Sequence, residues 1–279
     1  MPAGLNLQDS FENFIAFKNS ENGNMLSRFI CPVGSLPNLS ELIGSYHYEK
    51  DFPVCIILYS TNEITEFFDK LESNILCFGK INPNIKIESV ETLLPNEIFE
   101  RNNFLFEFTE KLISYFNKDT EVYLEVSTNE LNYRTRYDYL AKIPEELPGV
   151  GIKLRTGGSE ARSFPPPDKA AYCIRLCSEK HIPFKASFGL EYPYTHYSTD
   201  MHTTMYGFVN LIGTGLLSEK LNMQEHIEML EDEEINNFEF TDSYFRWKNH
   251  KIRLPEIKKA RQLFRSVECS MLGFSVEEL

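Results

Sequence analysis

The chain has 279 residues, 42% of them hydrophobic, and a net charge of −13. That charge argues against a broad electrostatic grip on nucleic acid or on an anionic membrane. No apolar run reaches the roughly 20 residues of a bilayer span, and the length suits one large domain or two small ones.

The start, MPAGLNLQDSFENF, lacks the basic and apolar regions of a signal peptide. Residues 1–26 read as an N-terminal extension, followed by one domain over 27–279. RFICP (28–32) is a short strand, and the helical LPNLSELIG follows. PVCIILYS (53–60), apolar throughout, reads as a buried parallel strand. NEITEFFDKLES is a helix capped by Asn62, with Ile64, Phe67, Phe68 and Leu71 on one face. IKIESVETLL (85–94) is a strand. IFERNNFLFEFTEKLISYF (98–116) is a helix with Phe104, Phe108, Leu112 and Phe116 in a stripe. EVYLEVS (121–127) is a strand and YRTRYDYLAKI (133–143) a helix. GIKLR (151–155) and PFKAS (183–187) are strands on either side of a helix over 168–181, which Pro165, Pro166 and Pro167 keep from starting earlier. Beyond residue 189 the alternation slips. MYGFVNLIGTGLLSEKL reads as a helix in preference to a strand, FEFTDSYFRW (238–247) as a strand or hairpin, and LPEIKKARQLFRSV (254–267) as a helix with Ile257, Ala260 and Phe264 inward.

Four of these strands carry a charge among apolar neighbours: Glu91, Glu125, Lys153 and Lys185. They recur at intervals of about 30 residues, the length of one strand-plus-helix unit in a (β/α)8 barrel of about 250 residues. The expected fold is therefore α/β: a single TIM-like barrel, irregular or with fewer than eight strands. Strand alternation turns Lys153 and Arg155 inward, and likewise Lys185, Ser187 and Gly189, and Tyr123, Glu125 and Ser127. Phe184, Ala186 and Phe188 then face outward. Glu91 shares the inner face with Ser89, but a shift of one residue selects Glu88 instead. Burying such charges is costly unless they pair or do chemistry. An ion-pair ring that fills the barrel without any ligand is the structural alternative to a site.

RTGG (155–158) directly after a strand suggests an anion cradle, with Arg155 and Thr156 beside the amides of Gly157 and Gly158. A tight turn explains the glycines equally well. FGLEYP (188–193) is a second glycine-bearing strand end, from which Glu191 or Tyr192 reaches toward a substrate. His196 and His202 suit no metal motif and read as polar loop residues. The six cysteines lie mostly in apolar stretches without a CxxC pair, so they read as buried thiols in a cytoplasmic protein. No metal is expected, and no P-loop, GxSxG or dinucleotide motif calls for a cofactor.

VGIKLRTGG, FPPPDKAAYCIRLCSEKHIPFKASFGLEYP and MYGFVNLI together resemble an uncharacterised bacterial protein family. Its members read approximately G-x-K-x-R-T-G-G, F-P, V-P-F-K-A-T-A-G-L-H-H-P and H-G-F-L-N. Phe238, Phe240, Asp242, Arg246 and Trp247 extend the likeness over the C-terminal half. It implies a shared architecture and pocket. Glu191 and Tyr192 stand where that pattern has H-H, and Tyr206 where it has the His of H-G-F-L-N. Any proton transfer by those histidines is altered or lost here. KLRTGG and FKASFG are also similar to the two lysine strand ends of deoxyribose-phosphate-aldolase-like barrels. Their chain order is reversed, which makes this an analogy of chemistry.

The expected function is a cytosolic barrel enzyme, aldolase-like and cofactor-free, acting on a small anionic carbonyl compound. Lys185 is its nucleophile or enolate stabiliser, Lys153 a second cation, Arg155 the anion clamp, and Glu125 or Glu91 the acid–base group. Crowded cations favour a neutral lysine, whereas Glu125 works against it. A non-catalytic barrel serving as ligand sensor or interaction protein is the alternative, and a metal-dependent lyase using the glutamates the third.

Overall fold

The structure is a computed structural model and describes residues 6–78, 80–100, 104–127, 132–190 and 192–268. By their contacts these residues divide into two compact units, one within Met1–Leu124 and one within Glu125–Ser270.

The first unit contains α1 (Leu7–Lys18), β1 (Phe29–Pro32), α2 (Leu36–Ser45), β2 (Phe52–Ile57), α3 (Ile64–Phe78), β3 (Ile85–Leu93), α4 (Phe104–Ser114) and all but the last residue of β4 (Glu121–Glu125). Strand β2 reads as a continuous apolar run because Phe52, Val54, Cys55 and Ile56 are all buried. The 1–26 segment contributes to this core. Asn6 caps α1, accepting from the Asp9 amide, and Phe11 packs on Phe52 with ring centroids 5.5 Å apart. At the start of α3 the Ile64 amide donates to the Glu97 carboxylate at 2.8 Å, so a distant carboxylate does the work expected of Asn62. Of the helix expected over 98–116, a 3-10 turn covers Asn96–Phe99 and α4 covers Phe104–Ser114, while 101–103 lie outside the described residues.

The second unit contains Glu125 of β4, then α5 (Tyr133–Leu140), α6 (Ile143–Glu146), β5 (Val150–Arg155), α7 (Pro167–Glu179), β6 (Phe184–Ser187), β7 (His196–Ser198) and β8 (Thr203–Met205). It continues through α8 (Phe208–Leu217), α9 (Met223–Glu231), β9 (Phe238–Phe240), β10 (Tyr244–Trp247), β11 (His250–Arg253), α10 (Leu254–Ala260) and β12 (Phe264–Val267). Its satellite core joins Leu217, Met229, Phe245 and Trp247, and the indole N–H donates to Asp232 at 2.7 Å.

The strand order is β1-β2-β3-β4-β5-β6-β12, seven strands with β1 and β12 at its two ends. The pairings with described register are parallel. The fold is thus α/β with a seven-stranded sheet, and it differs from a closed eight-stranded barrel. The departure comes after β6. There the chain forms the β7–β8 hairpin, two helices and the antiparallel order β11-β10-β9, and only then returns to the large sheet. That return corrects the helix expected over 254–267. It stops at Ala260, and Phe264 joins β12, where it stacks on Phe184 with centroids 4.7 Å apart. Burying Phe264 completely outweighs its helical spacing.

His226 on α9 is fully buried. Its Nδ1–H donates to the Asn222 carbonyl at 2.8 Å, which leaves Nε2 to accept from the Ser218 hydroxyl at 2.9 Å. Burial pushes its pKa below the ordinary 6.5. The unfolded chain therefore binds a proton that the folded chain resists. Stability is complete above about pH 6.5 and falls as pH drops toward the folded value. Between pH 7 and pH 5.5 the wild type should lose more denaturant resistance than His226→Gln. Equal slopes would remove His226 from the acid response.

Candidate functional site

Strands β5 and β6 pair in parallel with Lys153 opposite Lys185 and Arg155 opposite Ser187. Register partners on neighbouring strands project to the same face, so these four side chains share one side of the sheet. Glu125, the last residue of β4, and Glu268, directly after β12, complete the group. Glu125 accepts from Arg155 Nε through Oε1 at 2.6 Å, while its Oε2 lies 3.3 Å from Lys153 Nζ. Both lysines reach one oxygen of Glu268: Lys185 Nζ at 3.2 Å and Lys153 Nζ at 4.0 Å from Oε1. The result is a ladder of alternating charge, Arg155–Glu125–Lys153–Glu268–Lys185.

Four of the five rungs are almost closed to water. The side chains of Lys153, Glu125 and Lys185 are 2%, 3% and 5% exposed, and that of Glu268 is 10% exposed. Arg155 is the exception at 35%. Removing such charges from water costs several kcal/mol per ion, which the short contacts offset. Arg155 uses only Nε within the ladder; Nη1 and Nη2 have no hydrogen-bond partner among the described residues.

Phe188 covers this face. Alternation assigns it to the outer side, but the strand ends at Ser187, and Phe188 enters the left-handed region with φ of 69°. Its ring turns back over the cations, with the centroid 4.6 Å from Arg155 Cζ and 5.6 Å from Lys153 Nζ. Such contacts are attractive by about 0.5–1 kcal/mol at exposed positions. A left-handed conformation costs a non-glycine residue roughly 1–2 kcal/mol, so the surroundings must hold it. Thr156 does so. Its amide donates to the Ser187 carbonyl at 2.8 Å, and its hydroxyl to the Ser187 and Phe188 carbonyls at 2.9 and 2.6 Å.

That arrangement also explains the glycines of RTGG. A Cβ at Gly157 would lie 2.9 Å from Phe164 Cε1 and 3.0 Å from Gly189 Cα. The two strand-end loops touch backbone to backbone, and Gly158 is similarly filled by Ser163. Thr156, expected on an anion, is fully buried and holds the neighbouring loop.

The remaining expected residues lie elsewhere. Glu91 belongs to the first unit, where its carboxylate accepts from the Cys55 thiol at 2.8 Å. Its uncertain face assignment has a structural origin: the β2–β3 register jumps from Ile87 to Ser89. Glu88 is thereby left to pair with Arg28 at 2.8 Å, while Glu91 turns inward. Tyr192 is exposed and packs edge-on to His196, and Glu191 lies outside the described residues. Tyr206, where the resemblance expects a histidine, is buried and donates to the Pro165 carbonyl at 2.5 Å; burial pushes its pKa far above the ordinary value.

Sequence reasoning missed Glu268 and the position of Phe188. The signal for Glu268 was present in FRSVE, a charge ending a short apolar run, but the helical pattern before it masked the strand. Among the described residues no group of three or more His, Cys, Asp or Glu side chains is placed to hold a metal ion. No helix among them is long and apolar enough to cross a membrane. No family model and no curated protein matches the chain.

Proposed function

We propose that the second unit belongs to a cytoplasmic enzyme acting on a small anionic carbonyl compound, with Arg155 holding the anion at the carboxyl end of β5. The observation that carries this reading is the state of that guanidinium. One nitrogen is fixed by a buried carboxylate, while the two terminal nitrogens have no partner among the described residues. A guanidinium so fixed keeps its two-pronged terminal edge available for a carboxylate or phosphoryl group. The carboxyl ends of parallel strands are where α/β folds place their ligands.

Behind Arg155 the ladder supplies the chemistry of a lyase that passes through an enolate. Lys185 and Lys153 stabilise negative charge developing on the carbonyl oxygen, an electrostatic role that needs no neutral amine. Each lysine lies against a carboxylate, an arrangement suited to this electrostatic role rather than to imine formation. Glu125, engaged through both oxygens, orients Arg155 and Lys153. Glu268 takes the acid–base role first assigned to Glu125 or Glu91. Cys31, Cys55, Cys173 and Cys177 are buried as thiols, which supports the cytoplasmic setting.

Small carboxylates or phosphate should raise the melting temperature of the wild type, and Arg155→Ala should abolish that rise without unfolding the protein. An unchanged melting temperature with every anion would remove Arg155 from ligand binding. The extensive pairing of both lysines favours a second reading, a domain that binds the same anion without turning it over. Ligand-dependent melting with no product from any carbonyl compound would select it.

A further inference from the structure

Resting on that reading, we propose that the ligand is a 2-oxo monocarboxylate and that Ser187 binds its oxo group. Ser187 is the register partner of Arg155, on a parallel strand about 4.8 Å away and on the same face. Its side chain is fully buried, and its Oγ has no hydrogen-bond partner among the described residues. Leaving a buried hydroxyl unsatisfied is unfavourable, and such a group calls for an explanation. It lies beside Arg155, whose terminal nitrogens have no partner among the described residues. A hydroxyl and a guanidinium edge, side by side, match a carboxylate with an oxygen on the adjoining carbon.

The donor count separates this ligand from a phosphorylated one. With Nε engaged by Glu125, Arg155 offers one edge, which fits the two oxygens of a carboxylate. A phosphoryl group brings three oxygens and up to two negative charges, and it would approach Glu125 and Glu268 as well. RTGG adds no evident cradle, because Thr156 holds the Phe188 loop and Gly157 packs on Gly189. Lys185 lies two residues before Ser187 on the same face, in position to stabilise an enolate formed from the oxo group. Ser187 is covered, so ligand entry moves a neighbour. Phe188, next in the chain and partly exposed in a left-handed conformation, is the side chain we assign to that movement.

The test is calorimetric titration of the full chain with pyruvate, propionate and inorganic phosphate. Propionate has the carboxylate without the oxo group. Pyruvate should bind about tenfold more tightly than propionate, the equivalent of about 1.4 kcal/mol for one hydrogen bond to a buried group. Ser187→Ala should bring that ratio close to one and leave propionate unchanged, and Ser187→Cys, which keeps the shape with a weaker donor, should fall between. Arg155→Gln should lose all three ligands. Phosphate binding more tightly than pyruvate, or a pyruvate-to-propionate ratio untouched by Ser187→Ala, overturns the inference while leaving Arg155 as an anion site. Failure of every anion to bind the wild type overturns the Arg155 reading and the inference together.

Discussion

Glu125→Ala is expected to destabilise the second unit by about 3–5 kcal/mol, the usual result of removing one partner from a buried ion pair. Glu125 is nearly closed to solvent and contacts Arg155 at 2.6 Å and Lys153 at 3.3 Å. Without it, Lys153, 2% exposed, loses the carboxylate 3.3 Å from its Nζ. Arg155 is partly exposed and recovers some hydration, so the loss falls mainly on Lys153. The double variant Glu125→Leu, Lys153→Met replaces the pair by apolar groups of similar size. It should return most of the stability, because such replacements are often neutral or stabilising. Urea midpoints with an unchanged slope would measure both effects. A single variant within about 1 kcal/mol of wild type would mean that water reaches Lys153 and that the ladder is not a dry site.

Gly189→Ala is expected to cost at least about 2 kcal/mol, from two separable causes. The φ of 70° disfavours any residue with a Cβ, and the added atom would lie 2.8 Å from Phe164 Cε1. Shrinking the ring in a Gly189→Ala, Phe164→Leu double variant should relieve the overlap and leave the backbone component. If the double variant is no more stable than the single, crowding is not part of the cost. The substitution should also weaken any response to anions, because Gly189 follows the residue whose ring lies over Arg155. Melting with and without a carboxylate reads that second effect independently of the first.

Much of the candidate site was legible from alternation. Lys153, Arg155, Lys185 and Glu125 each stand among apolar neighbours in a short strand, and a side-chain period of two assigns them to one face. Regularity ended where the backbone ceased to be a strand. The jump past Glu88 is a shift in pairing register, which periodicity cannot show. Phe188 follows the alternation pattern in sequence, yet its left-handed backbone turns the ring to the other side. Glu268 was hidden because KKARQLF favours a helix locally, while Phe264 gains more by stacking on Phe184 in the sheet.

By itself, the sequence determined the parallel α/β core as far as β6, the common face of Lys153, Arg155 and Lys185 with Glu125 beside them, and the burial of the cysteines for which burial is described. These depend on local period and composition, which every short segment carries. Only the tertiary structure decided that the sheet has seven strands, that β12 returns to pair with β6, and that Glu268 joins the two lysines. It also decided that Thr156 and Gly157 support a neighbouring loop. Those outcomes depend on contacts between residues far apart in the chain, where packing a ring or pairing a buried charge outweighs a local preference of a few tenths of a kcal/mol per residue.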